Sequence, residues 1–306
     1  MGVFSKGIRF LKDKTYRQTI LMNAGFYDRL SDEEFIKKRF RLATGRELDL
    51  DAPKTLNEKL QWLKLHDRDP EYTALVDKYA VKSIIAERIG EEYVVPTLGC
   101  WDNAESVPFD ELPEKFVLKC THNSGTGTII CREKSKLDRA AVIKELKRGL
   151  AEDFFLKYRE WPYKNVPRRI ICEKYLENEG SSDMPDYKLH CFYGEPKFIL
   201  VCRDRFSETG MTEDFFTTDW EHIPVKRPKC ANSSEPIEKP PMLDEMMDIA
   251  RKLSKGIPFV RVDLYLAGGR VYFGEMTFFP TSGLTAFVPE EYDGIFGDLL
   301  ELNGIR

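Results

Sequence analysis

Phe259-Val260-Arg261-Val262-Asp263-Leu264-Tyr265-Leu266, then Ala267-Gly268-Gly269-Arg270, then Val271-Tyr272-Phe273-Gly274-Glu275-Met276-Thr277 is the stretch whose reading decides the fold. Two β-rich runs meeting across a glycine turn predict a hairpin. With residues 268–270 as a three-residue loop, Asp263 stands opposite Glu275 and Arg261 opposite Thr277, all on one face. Two carboxylates facing each other at that spacing repel unless a cation lies between them. Hard oxygen donors suit Mg²⁺, which takes one or two carboxylates and leaves its other positions to water and phosphate oxygens. The alternative is two exposed acids at a hairpin edge. Apolar neighbours on both strands favour the metal site, because a buried carboxylate needs a partner. The shared face demands an odd number of loop residues or a bulge.

A chain of 306 residues is long enough for a sizeable core and one or two domains. Its 42% hydrophobic and 32% charged content is that of an ordinary soluble protein. No apolar run approaches the roughly 18 residues that a membrane span requires. Lys6, Arg9, Lys12, Lys14 and Arg17 interrupt residues 4–21, against a signal peptide. The same basic, amphipathic opening is compatible with peripheral membrane contact, but Asp13 and the polar break at 15–19 favour a packing helix. Seven scattered cysteines without a Cys-x-x-Cys pair argue for reduced thiols in the cytoplasm, and against zinc or a disulfide framework. A net charge of −4 argues against general nucleic-acid binding, so any phosphate site must be local.

Upstream of the hairpin the chain first reads as helix. Ser31-Asp32-Glu33-Glu34 and Thr55-Leu56-Asn57-Glu58 are capping-box signatures that open helices over 31–42 and from 55 on. Residues 77–90 form an amphipathic helix closed by Gly90, with Lys78, by default a solvated charge, in its first turn. A strand is expected over 93–98. Another, over 114–120, delivers Lys119 into Thr121-His122-Asn123-Ser124-Gly125-Thr126-Gly127-Thr128, a loop longer than a hairpin needs and of the kind that folds over phosphates with backbone N–H and hydroxyl donors. It lacks the Gly-Lys-Ser/Thr end of a Walker A loop. A helix is expected over 137–155 and strands over 168–176, 186–193 and 196–205. With a two-residue turn at Gly194-Glu195, Lys188 and His190 share a face with Val201, Arg203 and Arg205, either a solvated sheet face or a deliberate collection of cations. Residues 207–240, polar and proline-rich, are expected to be a long connection bordering or covering the site. A helix over 241–253 precedes the hairpin. A glycine-hydroxyl loop over 278–285 and a helix over 295–302 follow it.

Order and identity together resemble the ATP-grasp enzymes, most closely the TupA-like branch associated with teichuronopeptide and surface-polysaccharide biosynthesis. The residues that carry the resemblance are Leu56-Asn57-Glu58-Lys59-Leu60-Gln61-Trp62, Asp77-Lys78, Val117-Leu118-Lys119 with its loop, Glu173-Lys174-Tyr175-Leu176, Asp186-Tyr187-Lys188, Arg261-Val262-Asp263 and Phe273-Gly274-Glu275-Met276-Thr277. They span about 55–290. The resemblance implies an α+β, ATP-grasp fold in which two α+β lobes sandwich ATP: a helical N-terminal extension over 1–70 and an ATP-grasp domain over 71–306, with a lid lobe about 115–175 and a catalytic lobe about 176–306.

It also implies roles. Lys78 and Lys119 would hold ATP phosphates under Ser124, Gly125, Thr126 and Gly127, while Glu173, Lys174 and Leu176 would meet adenine. Lys188 would contact phosphate, and Asp263 and Glu275 would bind two Mg²⁺ ions. Many relatives carry Asn where this chain has Thr277, so Thr277 stands third in the metal set. Many also carry a Rossmann-like N-terminal lobe, where this chain offers helices. The expected reaction is ATP-dependent carboxylate–amine ligation through an acylphosphate, with Arg261 and Lys188 stabilising charge, and with Arg203 and the Ser282-Gly283 backbone assigned to substrate. The partners would be a small-molecule or saccharide carboxylate and an amine such as an amino acid. A small-molecule or sugar kinase and a nucleotide-binding scaffold of a polysaccharide-assembly system are the alternatives.

Overall fold

The computed structural model describes residues 9–178, 184–204 and 210–305. Two antiparallel sheets organise them. The small sheet contains β1 (Thr97–Trp101), β2 (Phe116–Cys120), β3 (Ile129–Cys131) and β4 (Ile170–Lys174) in the order β1-β4-β2-β3. The large one contains β5 (Asp186–Phe192), β6 (Glu195–Arg203), β7 (Thr212–Thr217), β8 (His222–Ile223), β9 (Phe259–Ala267) and β10 (Arg270–Thr277), ordered β10-β9-β5-β6-β7-β8. With the helices described below, this is an α+β architecture.

The N-terminal helices are α1 (Lys14–Asn23), α2 (Asp32–Thr44) and α3 (Leu56–His66). Both capping boxes form: Ser31 and Thr55 accept from the N–H groups of Glu34 and Glu58, whose carboxylates return to the cap N–H groups. Each pair satisfies two of the amides that a helix start leaves without partners. Leu56, Leu60 and Leu63 of α3 belong to the core of the large sheet, so from residue 56 onward the helical segment is built into that lobe. Two shorter helices follow, α4 (Glu71–Val76) and α5 (Ala80–Ile89).

Several elements depart from the sequence reading. The strand expected over 93–98 begins later, at Thr97, because a 3₁₀ turn over Glu91–Tyr93 and Pro96 precede it. The helix expected over 137–155 stops as α6 (Arg139–Ala151), and Asp153 caps a separate helix, α7 (Phe154–Tyr158). The connection expected over 207–240 contains β7 and β8. Its strand character is masked in sequence by Glu213 and Asp214, which are buried and matched by Arg227 and by His222 and Ser233. The last helix, α9, runs over Tyr292–Gly297 instead of 295–302.

The core divides along the sheets. One cluster packs α6 on the small sheet through Val142, Leu146, Phe116, Leu118, Ile170 and Cys172. The larger cluster packs α8 (Leu243–Ser254) on β5, β6 and β9, with Met246, Ile249, Ala250 and Leu253 at or below 3% exposure. All seven cysteines are free. No helix among the described residues is long and apolar enough to cross a membrane.

Candidate active site

The decisive hairpin forms with a different turn. Gly268 and Gly269, both at positive φ, make a two-residue loop that pairs Ala267 with Arg270. Such a loop alone would place Asp263 opposite Gly274. A register shift between Phe273 and Glu275 drops Gly274 out of the ladder and restores the pairs Asp263–Glu275 and Arg261–Thr277. This bulge replaces the expected three-residue loop. A Cβ on Gly274 would lie 3.0 Å from the Asp263 carbonyl oxygen and 2.9 Å from the Tyr265 ring, so the bulge depends on glycine.

On the shared face Asp263 is 1% exposed and accepts from Lys188 Nζ at 2.5 Å and from Arg261 Nε at 2.6 Å. Lys188, across the strand pair in β5, also donates to Asp186 at 2.5 Å. Burial disfavours every charge here, yet the cations hold the Asp263 carboxyl below its usual range, and the Asp263 and Asp186 carboxylates hold Lys188 above its own. Thr277 accepts from Arg261 at 3.1 Å and donates to Glu275 at 3.3 Å. Glu275 is the open end of the set, its side chain 40% exposed.

The small sheet supplies a second charged cluster. Glu173 of β4 accepts from Lys119 of β2 at 2.6 Å and from Lys82 of α5 at 2.5 Å. Burial pushes the Glu173 carboxyl up, but the two lysines outweigh it and leave it at about 2. Lys78 donates from its ammonium to the Asn123 carbonyl at 2.6 Å and is lowered by burial. The glycine loop is anchored at both ends: Thr121 donates to the Pro167 carbonyl, Asn123 to that of Gly149, and the Gly127 N–H to Glu145. Ser124 and Gly125 at its tip are exposed.

The two clusters face one another. A cavity of about 370 Å³ runs from Val117, Lys119 and Ile130 of the small sheet past Leu176 to Cys202 and Tyr265 of the large one. At its inner end Lys78, Lys119 and Glu173 lie around one gap with Gly274 and Glu275. Beyond Glu275 a second cavity, of about 390 Å³, carries Ser124, Arg261, Thr277, Glu160 and Ser282 on its walls. A family model for TupA-like ATP-grasp proteins matches residues 58–301.

The chain belongs to the TupA-like ATP-grasp family. Its two sheets and the cleft between them are the ATP-grasp fold. Among solved structures it is similar to the ATP-grasp ligase PsnB complexed with minimal precursor, at 12% identity and a TM-score of 0.39, covering 68% of this chain and 54% of that one. It is similar as well to D-alanine–D-alanine ligase from Bacillus anthracis complexed with ATP, at 19% identity and a TM-score of 0.40, covering 67% and 55%. A third is the D-cycloserine synthetase DcsG, at 15% identity and a TM-score of 0.40, covering 74% and 69%. The chain spans about half the length of the first two, at 54% and 55%. No curated protein matches the chain.

Within the ATP-grasp cleft, Lys78, Lys119, Glu173 and Glu275 come together, Lys174 and Leu176 line the outer cavity, and Arg261, Lys188, Asp263 and Thr277 share one hydrogen-bonded set. Asp263, Glu275 and Thr277 offer two carboxylates and a hydroxyl, hard oxygen donors of the kind Mg²⁺ takes, with both Asp263 oxygens accepting from Arg261 and Lys188. Among the described residues no group of three or more His, Cys, Asp or Glu could hold a metal ion.

The register expected for Arg203 is not the one that forms. The β5–β6 turn is Tyr193-Gly194, with φ 52° and 85°, one residue earlier than expected, and a second register shift follows between His190 and Cys191. Lys188 therefore pairs with Leu200 and His190 with Phe198, and Arg203 falls on the opposite face of the sheet. Arg205 lies outside the described residues. His190 stacks on Phe198 at 4.2 Å and is hydrogen-bonded to the Lys188 carbonyl, and burial lowers it well below the usual histidine range. Ser282 lies on the wall of the second cavity, and its N–H and the Ser282 and Gly283 carbonyls are bonded within the chain. The Ser282 N–H donates to the Phe279 carbonyl, Gln61 donates to the carbonyls of Ser282 and Gly283, and Lys64 donates to the Ser282 carbonyl and hydroxyl.

The sequence reading did not single out Lys82, which lines the inner gap, Glu160, which lines the second cavity, or Lys64, which holds Ser282 beside it. For Lys64 a signal was available. Asn57, Gln61 and Lys64 repeat at helical spacing beside the apolar stripe of Leu56, Leu60 and Leu63, and are at most 3% exposed. A second stripe of polar residues buried on one helix must satisfy something, and here it holds the 280–285 loop through Ser282, Gly283 and Thr285.

Proposed function

We propose that this chain is an ATP-dependent carboxylate–amine ligase that forms an amide through an acylphosphate. The observation that carries it is the convergence of Lys78 and Lys119 from one side of the cleft on Glu275 of the hairpin, with Arg261 and Asp263 on the same hairpin face as Glu275 and Lys188 beside Asp263 on β5. Phosphoryl transfer asks a protein chiefly to position the reactants and neutralise the oxygens, which is what this arrangement offers.

In the proposed organisation a lid lobe about 115–175 closes on a catalytic lobe about 176–306. The adenine lies in the outer cavity against Lys174 and Leu176, with Glu173 ionised beside it. Lys78 and Lys119 bind phosphate oxygens, and the tip 124–127 folds over them. Lys188 moves from its carboxylates toward the γ-phosphate. Asp263 and Glu275, with Thr277 adjacent, would hold Mg²⁺, which would supply neutralisation of the phosphate charge. A substrate carboxylate oxygen attacks the γ-phosphorus as the bond to ADP breaks. The amine then attacks the acyl carbon, the carbon–oxygen bond to phosphate breaks, and Arg261 stabilises the charge that develops on oxygen.

Membership of the TupA-like branch supports placing the amide in surface-polysaccharide assembly of the capsule or teichuronopeptide type, on the cytoplasmic side where ATP is available. The test is ADP release with uronic acids and amino acids paired in a matrix, and mass spectrometry of the products. An amide together with ADP is expected. A phosphorylated acid or sugar without amide would make the chain a kinase, and no turnover with any pair would favour a nucleotide-binding scaffold.

A further inference from the structure

The second cavity has a polar floor to which neither the ATP reading nor the metal reading gives a task. Glu160 lies on it, 5% exposed. It is aimed there by the chain reversal at Arg159, which ends α7 in the left-handed region at φ 56°. That reversal is locked because the Arg159 guanidinium is buried, donates to the Asp28 carbonyl at 2.8 Å, and covers the Phe35 ring at 4.3 Å.

The charges around the cavity are matched directly, except that of Glu160. Arg261 is committed to Asp263 and Thr277, and Lys157 to Glu152. Lys64 has three hydrogens and four oxygens in reach: Gln61 Oε1 at 3.0 Å, Ser282 Oγ at 2.8 Å, and the carbonyls of Ser282 at 2.9 Å and Tyr158 at 3.2 Å. It therefore reaches Glu160 only through the Ser282 hydroxyl and by charge at a distance. What remains is a buried carboxylate facing an open space, near the like-charged Glu275 and walled by Phe154, Tyr158, Tyr163 and Phe279. A carboxylate floor under aromatic walls selects an organic cation.

We propose that this cavity binds the amine substrate as its ammonium, with Glu160 as the counter-ion and as the acceptor of the proton the ammonium sheds. Burial raises the Glu160 carboxyl to about 7, which suits it to take and release that proton near neutrality. The proton passes from nitrogen to a Glu160 oxygen, and the freed lone pair forms the C–N bond. The acyl C–O bond breaks, and phosphate departs with its electrons and takes up the second nitrogen proton, which leaves a neutral amide. The proton step rests on the ligase reading, whereas the cation site rests on the cavity alone.

The test uses the full chain with AMPPNP and Mg²⁺, titrated calorimetrically with benzylammonium chloride and with benzyl alcohol, the uncharged counterpart. Wild type should prefer the ammonium by about tenfold or more, and Glu160→Gln should erase that preference while binding AMPPNP as wild type does. Equal affinity of wild type for the two probes, no binding of either, or an unchanged preference in the variant would overturn the site. Because the first comparison uses wild type only, a variant that fails to fold does not spare the proposal.

Hydroxylamine, uncharged near neutral pH, separates the proton role from the ligase reading. Glu160→Gln should lose about a hundredfold in kcat/KM for a charged amine and keep hydroxamate formation. Equal loss of both would remove the proton role. No hydroxamate from wild type with any carboxylate would sink the ligase reading and leave the benzylammonium result to judge the cation site.

Discussion

Asp263 and Glu275 face each other across β9 and β10 because Gly274 leaves the ladder between them. The turn and the bulge are offsetting irregularities: with a two-residue turn, an unbulged ladder would place Gly274 opposite Asp263 and turn Glu275 to the other face of the sheet. Gly274→Ala puts a methyl about 3.0 Å from the Asp263 carbonyl oxygen and should cost about 1–3 kcal/mol, read as a lower urea midpoint. ATP turnover, measured where both proteins are folded, should fall further than stability does. A variant with the wild-type midpoint and turnover would show that the bulge does not position the carboxylates.

Glu173 gives a pH signature. Its folded-state carboxyl lies at about 2, below the ordinary 4.5, so the stabilisation is complete above pH 4.5 and is lost as pH falls through about 2. That shift corresponds to a contribution on the order of 3 kcal/mol at neutral pH. Glu173→Gln should lose most of it at pH 7, and the gap to wild type should narrow between pH 4.5 and 2. A gap independent of pH would mean that Lys82 and Lys119 do not hold the carboxylate ionised.

Lys188 joins two acids that would otherwise repel. Lys188→Met removes the ammonium that Asp186 and Asp263 share and should destabilise the fold by about 3–5 kcal/mol. Adding Asp186→Asn should recover part of that loss, a coupling visible in a double-mutant cycle of melting temperatures. Strict additivity would contradict a shared ammonium.

The loop that closes the second cavity rests on α3. Gly283→Ala, at φ +62°, would place its Cβ 2.5 Å from Gln61 Nε2, whereas Gln61→Ala removes the donor to two carbonyls. Each change alone should cost about 1–3 kcal/mol. Together they should cost less than their sum, because truncating Gln61 relieves the clash that the added methyl creates. Chemical denaturation of the four proteins measures this, and additive losses would show that the two residues do not meet.

What the sequence made legible were features set by local chemistry. The caps at Ser31 and Thr55, Lys119 at the end of its strand and the pairing of Asp263 with Glu275 all follow from residue order and parity. What stayed hidden depended on partners distant in sequence. The bulge between His190 and Cys191 reversed the face of Arg203, since the earlier turn alone moves the pairing by two residues and keeps the face, and neither irregularity leaves a composition signal. β7 was concealed because Glu213 and Asp214 look like loop residues until Arg227 and His222 arrive to match them. Glu160 was invisible for the same reason: its meaning comes from Lys64, Ser282 and an aromatic wall drawn from several segments of the chain.

The most direct test of ligation follows an atom. With the carboxylate substrate labelled with ¹⁸O, and ATP, Mg²⁺ and the amine supplied, mass spectrometry should find one labelled oxygen in the released inorganic phosphate, and ADP and amide in equal amounts. Unlabelled phosphate, or label retained in a phosphorylated product without amide, would contradict an acylphosphate ligase.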